Sequence, residues 1–118
     1  MYCSVLCVSL YLYIMKYLIT ESKLNQVIFK YLDNQDFIQI EKNGGVYFIN
    51  SEGDEYAQIK SSITNEWCYI STKLIDEISS LFSLHYLDSK EVIGSWVSDT
   101  LQIKISYTLP TERLRAPN

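Results

Sequence analysis

Apolar side chains recur with helical spacing in three parts of the chain. The spacing predicts helices over residues 20–33, 73–83 and about 89–101. The first helix has a single apolar stripe, which consists of Leu24, Val27, Ile28, Tyr31 and Leu32. Gly94 lies inside the third helix, where glycine lowers helix stability by about 1 kcal/mol relative to alanine. We therefore expect a neighbouring element to approach the third helix closely at Gly94.

Residues 37–70 instead alternate between apolar and polar side chains, which predicts four short strands joined by three turns. Asn43-Gly44 is the strongest turn signal, because both central residues of a type I′ hairpin need a positive φ angle. A two-residue turn at this point places Ile40 opposite Tyr47. Residues 102–107 alternate again and predict a fifth strand.

The turn after the second strand determines which side chains share a face. Gly53 fits the left-handed position of a three-residue loop with a bulge, in which Asn50 pairs with Asp54. This register predicts an aliphatic core face made of Ile38, Ile40, Tyr47, Ile49, Ala57 and Ile59. The opposite face mixes apolar and polar residues and contains Phe37, Gln39, Glu41, Val46, Phe48, Tyr56, Gln58 and Lys60. A slip of one residue in either turn would exchange the two faces.

The predicted elements follow the order helix, four strands, two helices and one strand. Runs of strands followed by runs of helices are typical of α+β proteins. We therefore expect an α+β fold in which an antiparallel, four- to five-stranded meander sheet packs with three helices. Residues 15–108 are predicted to form a single domain, and residues 109–118 a frayed C-terminal tail.

Residues 1–14 carry no charge, and Lys16 interrupts the apolar run before it reaches the roughly 20 residues of a membrane-spanning helix. They also lack the basic start and cleavage site of a secretory signal. Three interpretations remain: a weak signal or membrane anchor, a buried strand or helix, or a protein that starts at Met15. We favour the start at Met15, and we expect membrane association only if residues 1–19 are present and exposed.

The sequence from Met15 onward, MKYLITESKL, combines a lysine, aliphatic residues and a helix cap. Residues 15–32 resemble the starts of short uncharacterised proteins from bacteriophages and environmental sequences, which often open with a similar run before an amphipathic helix. The resemblance implies a bacteriophage or bacterial origin. It carries no function and no functional residues to this chain.

Composition argues against several classes of function. The chain of 118 residues has a net charge of −4 and scattered lysines, so we expect no nucleic-acid partner. Three cysteines without a repeating spacing predict no disulfide framework and favour a reducing compartment, the cytoplasm. With one histidine and no cysteine pair in the body of the chain, we expect neither a metal site nor a cofactor.

His85 is the only histidine, and it lies in the connector between the second and third helices. Cys68 lies in the fourth strand between two aromatic residues, where cysteine is usually an inert small hydrophobic residue. No nucleophile motif such as G-x-S-x-G accompanies His85. We therefore expect no catalytic residues, and we keep a small hydrolase-like enzyme using His85 as an alternative.

The mixed face has the composition of an interface, because aromatic residues are enriched at interface centres. We predict that it binds another protein through Phe37, Phe48 and Tyr56, with Gln39 and Gln58 at the rim. The predicted function is a small non-enzymatic binding or accessory module, encoded by a phage or mobile element. One alternative is a structural or assembly component that forms homo-oligomers through this face or through residues 1–14. If other elements cover both faces of the sheet, this interface does not exist.

Overall fold

The computed structural model describes residues 21–117. Within them it contains α1 (Glu21–Asp33), β1 (Ile38–Lys42), β2 (Gly45–Ile49), β3 (Ile59–Ser62), β4 (Trp67–Ser71), α2 (Thr72–Phe82), α3 (Tyr86–Leu101) and β5 (Tyr107–Thr111). The α+β class and the order of the elements are confirmed. The interpretations of residues 1–14 and of a start at Met15 lie outside the described residues.

The strands form one sheet in the order β1-β2-β3-β4-β5. The first four are antiparallel, as predicted, whereas β5 runs parallel to β4. The chain reaches β5 through α2 and α3, and a parallel pair needs a crossover of this kind. The sheet is therefore mixed, and the prediction of a wholly antiparallel sheet is wrong at its last strand.

The first hairpin has the predicted register. Asn43 and Gly44 have φ angles of 53° and 76°, and Ile40 lies opposite Tyr47. Asparagine and glycine adopt positive φ angles more readily than other residues do, so they fit the two central positions of this turn. The local sequence is sufficient to determine this register.

The register between β2 and β3 differs from the prediction. β2 ends at Ile49 and β3 begins only at Ile59, so residues 50–58 connect the strands instead of a three-residue loop. Phe48 lies opposite Ile59, and cross-strand partners point to the same face. The predicted register placed Ile59 on the face of Tyr47, and that prediction is wrong.

The core lies on the face of Phe48, which was predicted to be the mixed one, and this register adds Ile59 to it. Val46 and Phe48 point toward the helices and are buried, whereas Ile38 is exposed on the opposite face. The sheet contributes Val46, Phe48, Ile59, Cys68 and Ile70 to the main core. The helices cover these residues with Ile28, Leu32, Leu74, Ile75, Ile78, Val92, Ile93, Trp96 and Val97.

Gly94 allows α3 to approach β5 closely, as its position in the sequence predicted. A Cβ atom added at Gly94 would lie well inside the contact distance of the Thr108 Cγ2 atom. Glycine is therefore required here for packing, although it weakens the helix.

The C-terminal segment is paired rather than frayed over its described length. Residues 109–111 belong to β5. Farther on, the carbonyl of Leu114 accepts a hydrogen bond from the N–H of Ala57 at 2.6 Å, and the N–H of Ala116 donates to the carbonyl of Glu55 at 2.9 Å. Leu114 is also buried in a second, smaller core. These contacts anchor the connection between β2 and β3.

Candidate functional site

One face of the sheet is turned away from α1, α2 and α3, and no helix within residues 21–117 packs on it. The C-terminal segment covers one end of this face, where Leu114 packs with Ile49 and Ala57. The remainder is called the open face below. It consists of Ile38, Ile40, Lys42, Tyr47, Lys60, Trp67, Tyr69, Tyr107 and Leu109.

Strand pairing arranges part of the open face as a row across all five strands. Ile40 lies opposite Tyr47, and Tyr47 lies opposite Lys60. Lys60 in turn lies opposite Tyr69, which lies opposite Leu109. Directly opposed Cβ atoms in antiparallel strands are about 4.5–5.5 Å apart, so the members of the row on β1 to β4 lie within reach of one another. Lys60 therefore occupies the centre of an otherwise apolar and aromatic row.

The Lys60 side chain lies over aromatic rings. Its Nζ atom is 5.2 Å from the centroid of the Tyr47 ring and 5.8 Å from that of Trp67. The lysine stem passes beside Gly45, where a Cβ atom would be in ordinary van der Waals contact with the Lys60 Cε atom at 3.5 Å. The Trp67 and Tyr69 rings have centroids 4.6 Å apart. Attraction between the ammonium group and the ring faces holds Lys60 in this position.

The open face is positively charged, although the whole chain is acidic. The outward-pointing positions of the five strands include Lys42 and Lys60 but no aspartate or glutamate. No carboxylate within residues 21–117 forms an ion pair with Lys60. The 14 acidic residues of the chain lie at other positions, so the charge of this face has the opposite sign to the net charge of −4.

Phe37 and Phe48, the predicted centre of the interface, pack inside the protein. Phe48 is fully buried, and its ring centroid lies 6.2 Å from that of Phe37 and 5.3 Å from that of Trp96. Phe37 is half-buried against the same core. The prediction that these side chains lie on an uncovered face is wrong, because the helices pack on that face of the sheet. Binding through Phe48 is not compatible with its burial.

Gln39, Tyr56 and Gln58, the other predicted interface residues, lie outside the open face. Gln39 is exposed on the edge strand β1, opposite Phe48. Tyr56 and Gln58 line a cleft of about 390 Å³ beside the C-terminal segment. The guanidinium carbon of Arg115 lies 5.9 Å from the centroid of the Tyr56 ring. The structure therefore does not bring the five predicted residues together in one surface.

The sequence prediction missed Lys60, Trp67, Tyr69 and Tyr107 as members of one surface. A signal was present in β4, where aromatic residues alternate with Cys68 and an isoleucine. Cys68 and Ile70 are fully buried, whereas Trp67 and Tyr69 are half-buried. Aromatic residues with polar atoms suit a face that is partly exposed to water.

The residues of the hydrolase alternative lie in different surroundings. His85 is exposed and precedes α3 as its N-cap residue, without a capping hydrogen bond from its side chain. Cys68 is buried beneath the helices, and burial raises the pKa of its thiol to about 12. A thiol with this pKa is protonated at neutral pH and is a poor nucleophile.

The helices within residues 21–117 are too short or too polar for any of them to cross a membrane. In the same part of the chain, no three histidine, cysteine, aspartate or glutamate side chains come together as a metal site. The geometry of the open face is therefore the main basis for a functional hypothesis. No protein-family model, curated protein or solved structure matches this chain.

Proposed function

We propose that this protein is a small binding module without catalytic activity, which holds another protein on its open face. The observation that carries the proposal is an aromatic sheet face that no described helix covers, with a lysine at its centre. Interfaces are enriched in aromatic residues, and extended exposed apolar patches on monomers are often functional.

The open face combines accessible and immobilised side chains. Tyr107 and Leu109 on the edge strand β5 are 66% and 42% exposed. Tyr47, Trp67 and Tyr69 are half-buried and held by their neighbours in the sheet. A rigid aromatic side chain loses little conformational entropy on binding, and it buries a large area in contact with a partner. Both properties favour association with another protein.

The two alternatives that the sequence left open have weaker support. For an enzyme using His85, Cys68 is a poor nucleophile, because it is buried and its thiol is protonated at neutral pH. A homo-oligomer would have to bring together two copies of a positively charged face. The origin from a phage or mobile element stays a prediction from residues 15–32.

Affinity capture from cells that express the protein tests the proposal with matched surface variants. The double variant Tyr107→Ser/Leu109→Ser removes the most accessible apolar groups of the open face. The control Leu87→Ser removes a side chain of equal exposure, 65% against 66% for Tyr107, from α3. Because all three side chains are exposed, we expect every variant to fold.

We expect the wild type and the Leu87→Ser control to capture the same protein, and the double variant to lose it. Identical captured proteins in all three samples would refute binding through the open face. Light scattering on the same samples tests whether the partner is a second copy of the chain. A dimer that dissociates only in the double variant would assign the face to a second copy of the chain.

A further inference from the structure

Lys60 lies at the centre of the open face, and its charge restricts the chemistry of a partner. The ammonium group is partly compensated by the rings of Tyr47 and Trp67, and no carboxylate within residues 21–117 pairs with it. A partner that covers this face removes water from Lys60. Burying an ammonium group without an opposite charge is strongly unfavourable. The partner must therefore place an anionic group next to Lys60.

A second copy of the chain does not supply this anion. A two-fold dimer pairs the same patch with itself. In this arrangement Lys60 of one copy would face the positive patch of the other copy, which offers no carboxylate in return. Like charges across an interface oppose association.

Single-stranded nucleic acid matches the aromatic rings but not the overall charge. Rings such as Tyr47 and Trp67 could stack with bases, and Lys60 could contact one phosphate. Affinity for nucleic acid, however, comes largely from neutralising many phosphates with lysine and arginine. The open face has two lysines on a chain with a net charge of −4, so a polyanion is repelled beyond the face itself.

We infer that the open face binds an acidic segment of another protein, in which a carboxylate side chain lies next to apolar or aromatic side chains. This inference rests on the proposed function. The carboxylate accepts a hydrogen bond from the Lys60 ammonium group. The apolar neighbours pack on the Tyr47 and Trp67 rings and cover Tyr107 and Leu109, which are accessible in the structure.

Selection of random displayed peptides on the full chain tests the inference without knowledge of the natural partner. Three baits are compared: the wild type, Lys60→Glu and the control Lys73→Glu. Lys73 is exposed on α2, and its substitution changes the net charge by the same amount. We expect the wild type and the control to enrich peptides with aspartate or glutamate beside apolar residues. Lys60→Glu should lose these peptides or enrich basic ones.

A synthetic peptide from the wild-type selection gives the quantitative test by fluorescence titration. We expect Lys60→Glu to weaken its binding by about tenfold or more, and Lys73→Glu by less than about twofold. Replacing the peptide carboxylate by an amide should weaken binding to the wild-type protein similarly. This second measurement needs no protein variant, so the test holds even if Lys60→Glu fails to fold.

The outcomes separate this inference from the proposed function. Peptides that bind the open face but lack carboxylates would overturn the acidic partner and leave a binding face. If no enriched peptide loses binding to the Tyr107→Ser/Leu109→Ser variant, both the acidic partner and the proposed function are overturned. The open face would then belong to another occupant, such as a second copy or residues 1–20. Tighter binding of an oligothymidylate than of any selected peptide would replace the protein partner by nucleic acid.

Discussion

Replacing Gly94 by alanine measures how closely α3 packs on β5. In an exposed helix interior, this change stabilises the protein by about 1 kcal/mol. Here the new Cβ atom would overlap the Thr108 Cγ2 atom, and it would also lie 3.7 Å from the Thr108 Cβ atom and 4.0 Å from the Ile105 Cγ2 atom. Overpacking of a core by one methyl group destabilises by about 1–3 kcal/mol. We therefore expect a net loss of about 1 kcal/mol.

Thr108→Ser provides the matched second substitution, because it removes the Cγ2 atom that the alanine would meet and retains the hydroxyl group. The Thr108 Oγ1 atom is buried and has no hydrogen-bond partner in the described structure, so no hydrogen bond is lost. In Gly94→Ala/Thr108→Ser the overlap is removed and the helix propensity gain remains. The double variant should therefore be more stable than the sum of the single effects, by about 1–3 kcal/mol.

Urea unfolding of the four proteins, followed by tryptophan fluorescence, gives the free energies of unfolding and their coupling. Trp96 is buried in the core and is a suitable probe of global unfolding. A Gly94→Ala variant that equals or exceeds the wild type in stability would refute the close approach. Additive effects of the two substitutions would show that β5 moves away from α3 with little loss in the free energy of unfolding.

Two further predictions test the packing of the sheet. Phe48→Ala should lower the free energy of unfolding by about 3–5 kcal/mol, because the ring is fully buried. Tyr107→Ala on the open face should lower it by less than about 1 kcal/mol. Similar losses for the two variants in urea unfolding would contradict the assignment of the two faces. In a Cys3→Ser/Cys7→Ser background, Cys68 should react with a thiol reagent at neutral pH only after unfolding, because burial raises its pKa to about 12. Rapid labelling in native buffer would contradict this.

The two turns of the sheet show why local sequence predicted one register and not the other. Asn43-Gly44 carries its own conformational preference, and the hairpin around it follows from two adjacent residues. Gly53 also has a positive φ angle of 87°, as its turn requires. The connection continues beyond Gly53, however, because Glu55 and Ala57 pair with residues 114–116 rather than with β2. No local pattern contains that distant pairing.

The candidate site was mispredicted for the same reason. The error in the connection placed Ile59 on the face of Tyr47 instead of the face of Phe48, so the face of Tyr47 was predicted to be the core face. The amphipathic pattern of α1 was more informative, since Ile28 and Leu32 are fully buried, but Val27 from the same predicted stripe is 56% exposed. Periodicity locates an apolar side of an element, and tertiary packing decides how much of it is covered.

The pairing of Glu55 and Ala57 with Leu114 and Ala116 also bears on the order of events during synthesis. Residues 55–57 leave the ribosome well before residues 114–116 have been translated. A nascent chain of this length therefore lacks the contacts that anchor the connection before β3. Contacts between residues so far apart in sequence close late and slow folding. Until these contacts form, fewer interactions in the growing chain favour the native register of β3 over a register shifted by one residue.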